Sequence, residues 1–300
     1  HTMPTVGLSN EPSIVDWLND SVDVVLRTAG VRRSRLLGVG LSLPGIVRGR
    51  EGRSETYLNF GTASTKEVLQ SKFHIPVHIE HDAKAMALGE KWFGAAAGKK
   101  SVLTLNLGWG VGLGILIDGK IYYGKDGYAG EFGHIEIIRG GRLCYCGKRG
   151  CLETVASGMA IENEAREKLK NGATSKLRKM AGRSLANINA AMVVQAATEG
   201  DVFSIELLER TGRYLGQGIA LLIDLFNPEV IILGGRVSRA QQFILGAVRS
   251  TATKLSLTQL NKDVEFITSS LGTNAGALGV AMLATSDLFE VDHLNPSAFV

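Results

Sequence analysis

Gly133-His134 is followed by Cys144-Tyr145-Cys146-Gly147-Lys148-Arg149-Gly150-Cys151, and these are the only three cysteines among the 300 residues. Three thiolates and one imidazole complete a tetrahedral zinc shell, and four protein ligands leave no open position for a reacting water. His134, Cys144, Cys146 and Cys151 therefore read as a structural Zn2+ site. Gly147 and Gly150 let the chain curl back round the ion. The bland alternative is three buried apolar cysteines near an unrelated histidine. An odd number of closely spaced cysteines does not suit a disulfide framework. Carboxylates flank this segment. Glu131 and Glu153 sit either side of it, and Asp82 follows Glu80-His81. Taken alone, Asp82 is equally an N-cap, and Glu131 and Glu153 equally solvated surface.

These groups need elements to hold them. Pro76–Glu80 reads as a strand, and His81-Asp82 opens a helix over Ala83–Phe93, rich in good helix formers. Before it, a helix over Ile14–Thr28 capped by Ser13, and a buried strand over Leu36–Leu41 running into Pro44-Gly45, complete an α/β unit. A second unit starts near Ser101. Val102–Leu107 and Leu113–Ile117 are strands, and Asp118-Gly119 turns the chain into Lys120–Tyr123. Loop-rich sequence runs from Gly124 to Gly150. Helices follow over Glu153–Leu169, Asn187–Thr198 and Val202–Leu225. A short strand, Glu229–Leu233, enters Gly234-Gly235. A helix over Gln241–Leu255, a strand over Val264–Thr268 and a helix over Ala275–Ala284 close the pattern. Strand–helix alternation is the mark of an α/β fold. Residues 1–100 form a first lobe that looks as though it begins in mid-domain. Residues 101–300 form a second lobe carrying the zinc loop 133–153, with the last helix returning to pack on the first. Ligands of such folds sit at strand C-termini and in the cleft between lobes.

Composition bounds the function. Apolar residues make up 45% and charged residues 21% of the chain, enough for a proper core and unlike a disordered or collagenous chain. The net charge of +4 is small and scattered, so it does not argue for nucleic acid. No apolar run reaches membrane-spanning length; Gly218–Phe226 is interrupted by Asp224. With no basic-plus-apolar leader, the cytoplasm is the expected compartment. Arg32-Arg33-Ser34-Arg35 is the densest basic run and reads as a solvated loop.

The motifs, in order, are Gly40-Leu41-Ser42-Leu43-Pro44-Gly45, Glu80-His81-Asp82, Ala87-Leu88-Gly89-Glu90, Gly130-Glu131-Phe132-Gly133-His134, the cysteine run through Glu153, and Asn227-Pro228-Glu229 to Gly234-Gly235. Together they resemble the ROK group (repressors, open reading frames and kinases) from about residue 36 to 285. The resemblance implies a two-lobed sugar-kinase/actin-like (ribonuclease H-like) α/β fold with an interlobe cleft. It implies that Asp82 matches the kinases' general base, and that Glu131, His134 and Glu153 hydrogen-bond sugar hydroxyls. His134 would then serve the zinc with one nitrogen and the sugar with the other. Asn59-Phe60 resembles the family's Asn-plus-aromatic pair at the sugar, although Phe60 equally reads as core. Homodimers or homotetramers are the family's expected state.

Three departures bear on activity. The kinases' Asp-x-Gly-Gly-Thr phosphate loop is not present in these residues. The next loop, usually Gly-Thr-Gly-x-Gly, is Gly108-Trp109-Gly110-Val111-Gly112, and an indole cannot replace a hydroxyl facing phosphates. His81 and Lys84 stand where the kinases commonly carry Asn. His81 could still donate to a sugar oxygen. Gly108, Trp109, Gly110, Gly234 and Gly235 thus read as a degenerate nucleotide side, with Arg236 crowding a base. The Gly-Trp-Gly form and the segment Leu169–Ser175 resemble the group's transcriptional regulators more than its kinases. The first reading is a sugar-binding effector domain of a repressor controlling carbohydrate metabolism, acting on DNA through an N-terminal winged helix-turn-helix not in this sequence. The second is an ATP- and Mg2+-dependent sugar kinase with Asp82 as base. The third is a sugar-binding scaffold with neither role.

Overall fold

The computed structural model of the chain describes residues 11–236 and 240–289. Helix α1 (Glu11–Ala29) begins two residues before Ser13, so Ser13 lies inside it and is not its cap. Next comes a 3-10 turn at Arg33–Arg35, and β1 runs Val39–Leu43, later than the expected 36–41. Arg33 explains the second shift. Its guanidinium donates to Asn19 Oδ1 (2.8 Å) and to the Phe73 carbonyl (3.0 Å), and pairs with Asp23. That tie pins the segment to α1 and to Phe73, so Arg33 is a structural clamp and not part of a solvated run.

A hairpin of β2 (Val47–Arg48) and β3 (Arg53–Ser54) leads to α2 (Thr65–Phe73). Ser64 and Glu67 form a reciprocal capping box at its start. Then follow β4 (Val77–His81) and α3 (Asp82–Phe93). β1 and β4 pair in parallel with Leu41 opposite Ile79. Their apolar faces join Val15, Leu69, Phe73 and Val77 in one core.

The remaining elements are β5 (Val102–Leu107), β6 (Val111–Ile117), β7 (Lys120–Ile121), α4 (Glu153–Ala156), α5 (Gly158–Lys170), α6 (Leu177–Met180), α7 (Ala190–Thr198), α8 (Val202–Phe226), β8 (Val230–Gly234), α9 (Gln241–Leu255), α10 (Thr258–Asn261), β9 (Glu265–Thr268) and α11 (Ala275–Phe289). The strands form one sheet in the order β7-β6-β5-β8-β9, with β5, β8 and β9 parallel and β6 antiparallel to β5. Asp118 and Gly119 both have positive φ (51° and 71°), the signature of a tight primed turn between β6 and β7. The expected helix over 153–169 is two helices. Ser157 breaks it by adopting extended backbone and accepting the Ala160 amide on its Oγ (3.0 Å). A large core, from Leu103 and Leu105 to Leu215, Ile219 and Ile231, lies between the sheet and these helices.

α3 is the element that carries Asp82, and glycines seat it on both sides. Gly112 and Gly114 of β6 face it: a Cβ at Gly114 would lie 2.5 Å from the Ala83 carbonyl. α11 crosses its other side, where a Cβ at Gly279 would lie 1.7 Å from the Ala85 carbonyl and one at Gly89 2.1 Å from the Ala275 carbonyl. α11 also touches β1, where a Cβ at Gly40 would meet the Val280 carbonyl at 2.4 Å. Among the described residues, no helix is long and apolar enough to cross a membrane.

Gly279→Ala inserts a methyl group where backbone already stands. It should lower the apparent Tm, at a cost of about 1–3 kcal/mol for overpacking, whereas Gly246→Ala on α9, with nothing within 4 Å of the new Cβ, should not.

Candidate functional site

The segment 133–153 is held by its own short bridges, Glu136 with Cys151 and Leu143 with Arg149, around glycines at 147 and 150 with positive φ. It brings His134, Cys144, Cys146 and Cys151 together, their donor atoms all within 4.8 Å of one another. Cys146 Sγ lies 3.7 Å from Cys151 Sγ, and Cys144 Sγ lies 3.6 Å from His134 Nδ1. A tetrahedron with zinc–sulfur bonds of about 2.3 Å and zinc–nitrogen bonds of about 2.0 Å has edges of about 3.5–3.8 Å. The donor set and its spacing therefore fit zinc, with Nδ1 as the ligating nitrogen. Lys148 Nζ donates to the His134 carbonyl (2.7 Å), closing the loop's ends.

Nδ1 being turned to the thiols, His134 Nε2 faces the other way. It lies 3.2 Å from the Tyr145 hydroxyl and 4.0 Å from Glu131 Oε2. Glu153 is buried (5% exposed), contrary to a solvated surface role. Its Oε2 accepts the Val111 amide (3.0 Å), while its Oε1 has no hydrogen-bond partner. Asp82 stands at the first turn of α3, where Asn106, near the end of β5, donates to its carboxylate. Burial raises the Asp82 pKa to about 6, and the charges of Glu131 and Glu153 add to the shift. Burial likewise raises the Glu131 pKa. Asp82, Glu131, His134 and Glu153 are thus one acidic cluster. Lys84, 2% exposed, is its counter-charge; its Nζ donates to the Gly127 carbonyl (3.0 Å).

His81 precedes Asp82, with Nε2 3.3 Å from Asp82 Oδ1. Burial, helped by the Lys84 charge, lowers its pKa to about 3, so its ring is neutral. Its Nδ1 is buried without a hydrogen-bond partner. Asn59 is not joined to this group: it is exposed, its amide donates to the Glu55 carbonyl (3.0 Å), and its Oδ1 accepts the Gly61 amide (3.0 Å). Phe60 packs on the first core.

Gly108, Trp109 and Gly110 form the tip between β5 and β6. Trp109 is 68% exposed. Gly234 and Gly235 end β8 beside it. Packing already demands Gly235, where φ is 82° and a Cβ would lie 2.5 Å from the Leu107 carbonyl and from Asn106 Oδ1, whereas a Cβ at Gly234 would meet the flexible end of Met86. Arg236 is exposed, and the chain beyond it at 237–239 lies outside the described residues. Two site residues escaped the sequence reading. Asn106 is found only through strand register, opposite Gly234 on β8. Tyr123 donates its hydroxyl to buried Glu80 (2.7 Å), tying the 122–130 loop beneath Asp82.

Residues 8–287 match the ROK family. The chain belongs to the ROK family. It is 36% identical over 280 residues to a glucokinase of Halalkalibacterium halodurans, covering 92% of this chain and 84% of that one. It is 30% identical over 285 residues to a xylose repressor of Bacillus spizizenii, covering 94% of this chain and 70% of that one. A ROK glucokinase from Streptomyces griseus, solved with glucose and AMPPNP, superposes with a TM-score of 0.80 at 29% identity, over 90% of this chain and 88% of that one. The fold of this ROK protein is the two-lobed sugar-kinase/actin-like fold that its motifs implied. Kinases and repressors stand at similar distances from it.

Two measurements test this site. Chelation of the metal, or Cys146→Ser, should drop the Tm by about 10 °C or more, because metal binding is coupled to folding. An unchanged Tm would remove the metal. Second, the raised Asp82 pKa means that the folded state prefers the neutral acid. That preference stabilises below the ordinary carboxylate range and is lost as pH rises through about 6. Asp82→Asn should therefore raise the Tm relative to the parent at pH 7.5, and the gain should vanish by about pH 4. His81, Lys84, Glu131 and Glu153 are the titratable groups that face it.

Proposed function

We propose that this chain is the sugar-binding effector part of a ROK transcriptional repressor of carbohydrate metabolism. One observation carries the choice. The tip between β5 and β6, where the family's kinases place a hydroxyl before the nucleotide phosphates, holds Trp109 between two glycines. The acidic cluster supports a saccharide ligand. Asp82, Glu131 and Glu153 are fixed acceptors for hydroxyls, Glu153 Oε1 lacks a donor, and His134 Nε2 is turned towards them. Zn2+ on His134, Cys144, Cys146 and Cys151 would be structural, holding the imidazole in place. His81 Nδ1 adds a polar group, and Asn59 would join if the ligand drew its loop in.

In this reading, residues 1–100 and 101–300 are lobes that close on the ligand, and closure favours one arrangement of a homodimer or homotetramer. A winged helix-turn-helix outside these residues would carry that change to DNA. The second reading, an ATP- and Mg2+-dependent sugar kinase, is favoured by Asp82. A carboxylate with a pKa of about 6, oriented by Asn106, suits a general base for a sugar hydroxyl. Gly108, Gly110, Gly234 and Gly235 would then line the nucleotide side.

The test is a panel of glucose, xylose and N-acetylglucosamine, with glucose 6-phosphate and N-acetylglucosamine 6-phosphate. A saccharide should raise the Tm of the parent and not that of Glu153→Ala, with no ADP released from magnesium-ATP. Sugar-dependent ADP release would make the chain a kinase. A panel without any thermal shift would overturn both readings.

A further inference from the structure

The exposed indole of Trp109 is carried on backbone that is anchored on every side. Gly108 N donates to the Gly110 carbonyl (3.1 Å), Gly158 N to the Gly108 carbonyl (2.9 Å) and Met159 N to the Trp109 carbonyl (3.3 Å). Val111 N is bound to Glu153 Oε2, and a Cβ at Gly110 would lie 2.2 Å from that oxygen. Asn106, three residues before the indole, holds Asp82. Trp109 therefore projects from a fixed rim next to Glu153, one of the three carboxylates of the saccharide site. Leaving an indole 68% exposed there forgoes the large apolar burial that makes tryptophan useful. A second aromatic, Tyr145, 73% exposed, stands beside the same site, its hydroxyl near His134 Nε2 and within reach of Glu153. Glu153 Oε1 is buried there and makes no hydrogen bond.

The inference rests on the saccharide reading above and names the ligand class. We propose that Trp109 is the platform of a second saccharide subsite, so that the ligand is a disaccharide or larger glycoside. One ring occupies the cluster of Asp82, Glu131, His134 and Glu153. The next lies over the indole, because the C–H face of a pyranose is apolar and packs on an aromatic face while its hydroxyls point away to polar partners. A monosaccharide leaves the indole in water. A polyphosphate at this rim meets the Glu153 carboxylate, which repels an anion, and an indole whose single donor is its Nε1–H.

The experiment is calorimetry on the full 300-residue chain with glucose, xylose and N-acetylglucosamine, each paired with its β-1,4-linked disaccharide. The parent is compared with Trp109→Ala and Trp109→Phe, and ATP binding is measured alongside. At least one disaccharide should bind the parent more tightly than its monosaccharide. Trp109→Ala should cut that ratio about tenfold and Trp109→Phe should restore most of it. The disaccharide should also change the indole fluorescence of the parent in a way that Trp109→Phe lacks. An unchanged ratio in Trp109→Ala, with monosaccharide still bound, overturns the second subsite and leaves the saccharide site standing. No saccharide binding at all overturns both. Loss of ATP binding in Trp109→Ala with the ratio unchanged places a nucleotide at the rim and overturns the subsite.

Discussion

Glu153 follows the last cysteine by two residues, and its carboxylate is 5% exposed, with Oε2 taking the Val111 amide. A buried carboxylate is costly unless it is hydrogen-bonded, so the residues round it are not free to vary. Gly110 gives it room, since a side chain there would overlap Oε2, and a Cβ at Gly133 would lie 3.4 Å from the same oxygen. The tip between β5 and β6, the turn that carries His134 and the end of the cysteine loop thus meet at one charged group. Move Glu153 and all three lose their register. Its second oxygen makes no hydrogen bond, and in the proposed function an incoming hydroxyl would complete the arrangement there.

The cysteine loop explains how such a group is held at all. Leu143 and Tyr145 are 64% and 73% exposed, so the loop does not gain its shape from an apolar core of its own. The four metal donors supply what packing does not. They fix His134 at one end and Cys151 at the other, and Cys151 hands the chain directly to Leu152, fully buried, and then to Glu153. A metal held by these four donors would be structural in the sense of a closed shell and would still serve the site, because it would set the direction of His134 Nε2 and the depth of Glu153.

How much of this was legible depended on whether the signal was local. The zinc ligands were, because their chemistry lies in residue type and spacing within one loop. The strands β4, β5 and β8 were, because β8 is a continuous apolar run and β4 and β5 carry apolar residues at strand spacing. The break at Ser157 was not: apolar positions continue at helical spacing through it, and only the extended backbone of Ser157 and its bond to Ala160 end one helix and begin the next. The start of β1 was hidden for a different reason. Arg33 reads as a surface charge, and its clamp to Asn19 and Phe73 comes from tertiary packing. Asn106 is the clearest case. Within β5 it is one polar residue in an apolar strand, and its purpose appears only when β8 and α3 bring Gly234 and Asp82 beside it.

On the proposed sensor reading, electrostatics gives a reason to keep a carboxylate that would serve a kinase as base. Three carboxylates and one buried lysine share the cluster, so in the absence of ligand the charged form of Asp82 is strained by burial and by its neighbours. A saccharide brings hydroxyl donors but no charge. Each donor stabilises the ionised carboxylate it meets, and so recovers part of the cost that burial imposed. A ligand carrying its own negative charge would add to the repulsion among Asp82, Glu131 and Glu153. The same raised pKa that equips a kinase's base therefore gives a binding module a store of unfavourable free energy that a neutral polyol relieves on binding. That relief differs between an open and a closed cleft, and a difference of that kind is what a ligand needs to shift a conformational equilibrium. Catalysis and sensing draw on one arrangement of carboxylates, and the residue at the tip between β5 and β6 decides what lies against it.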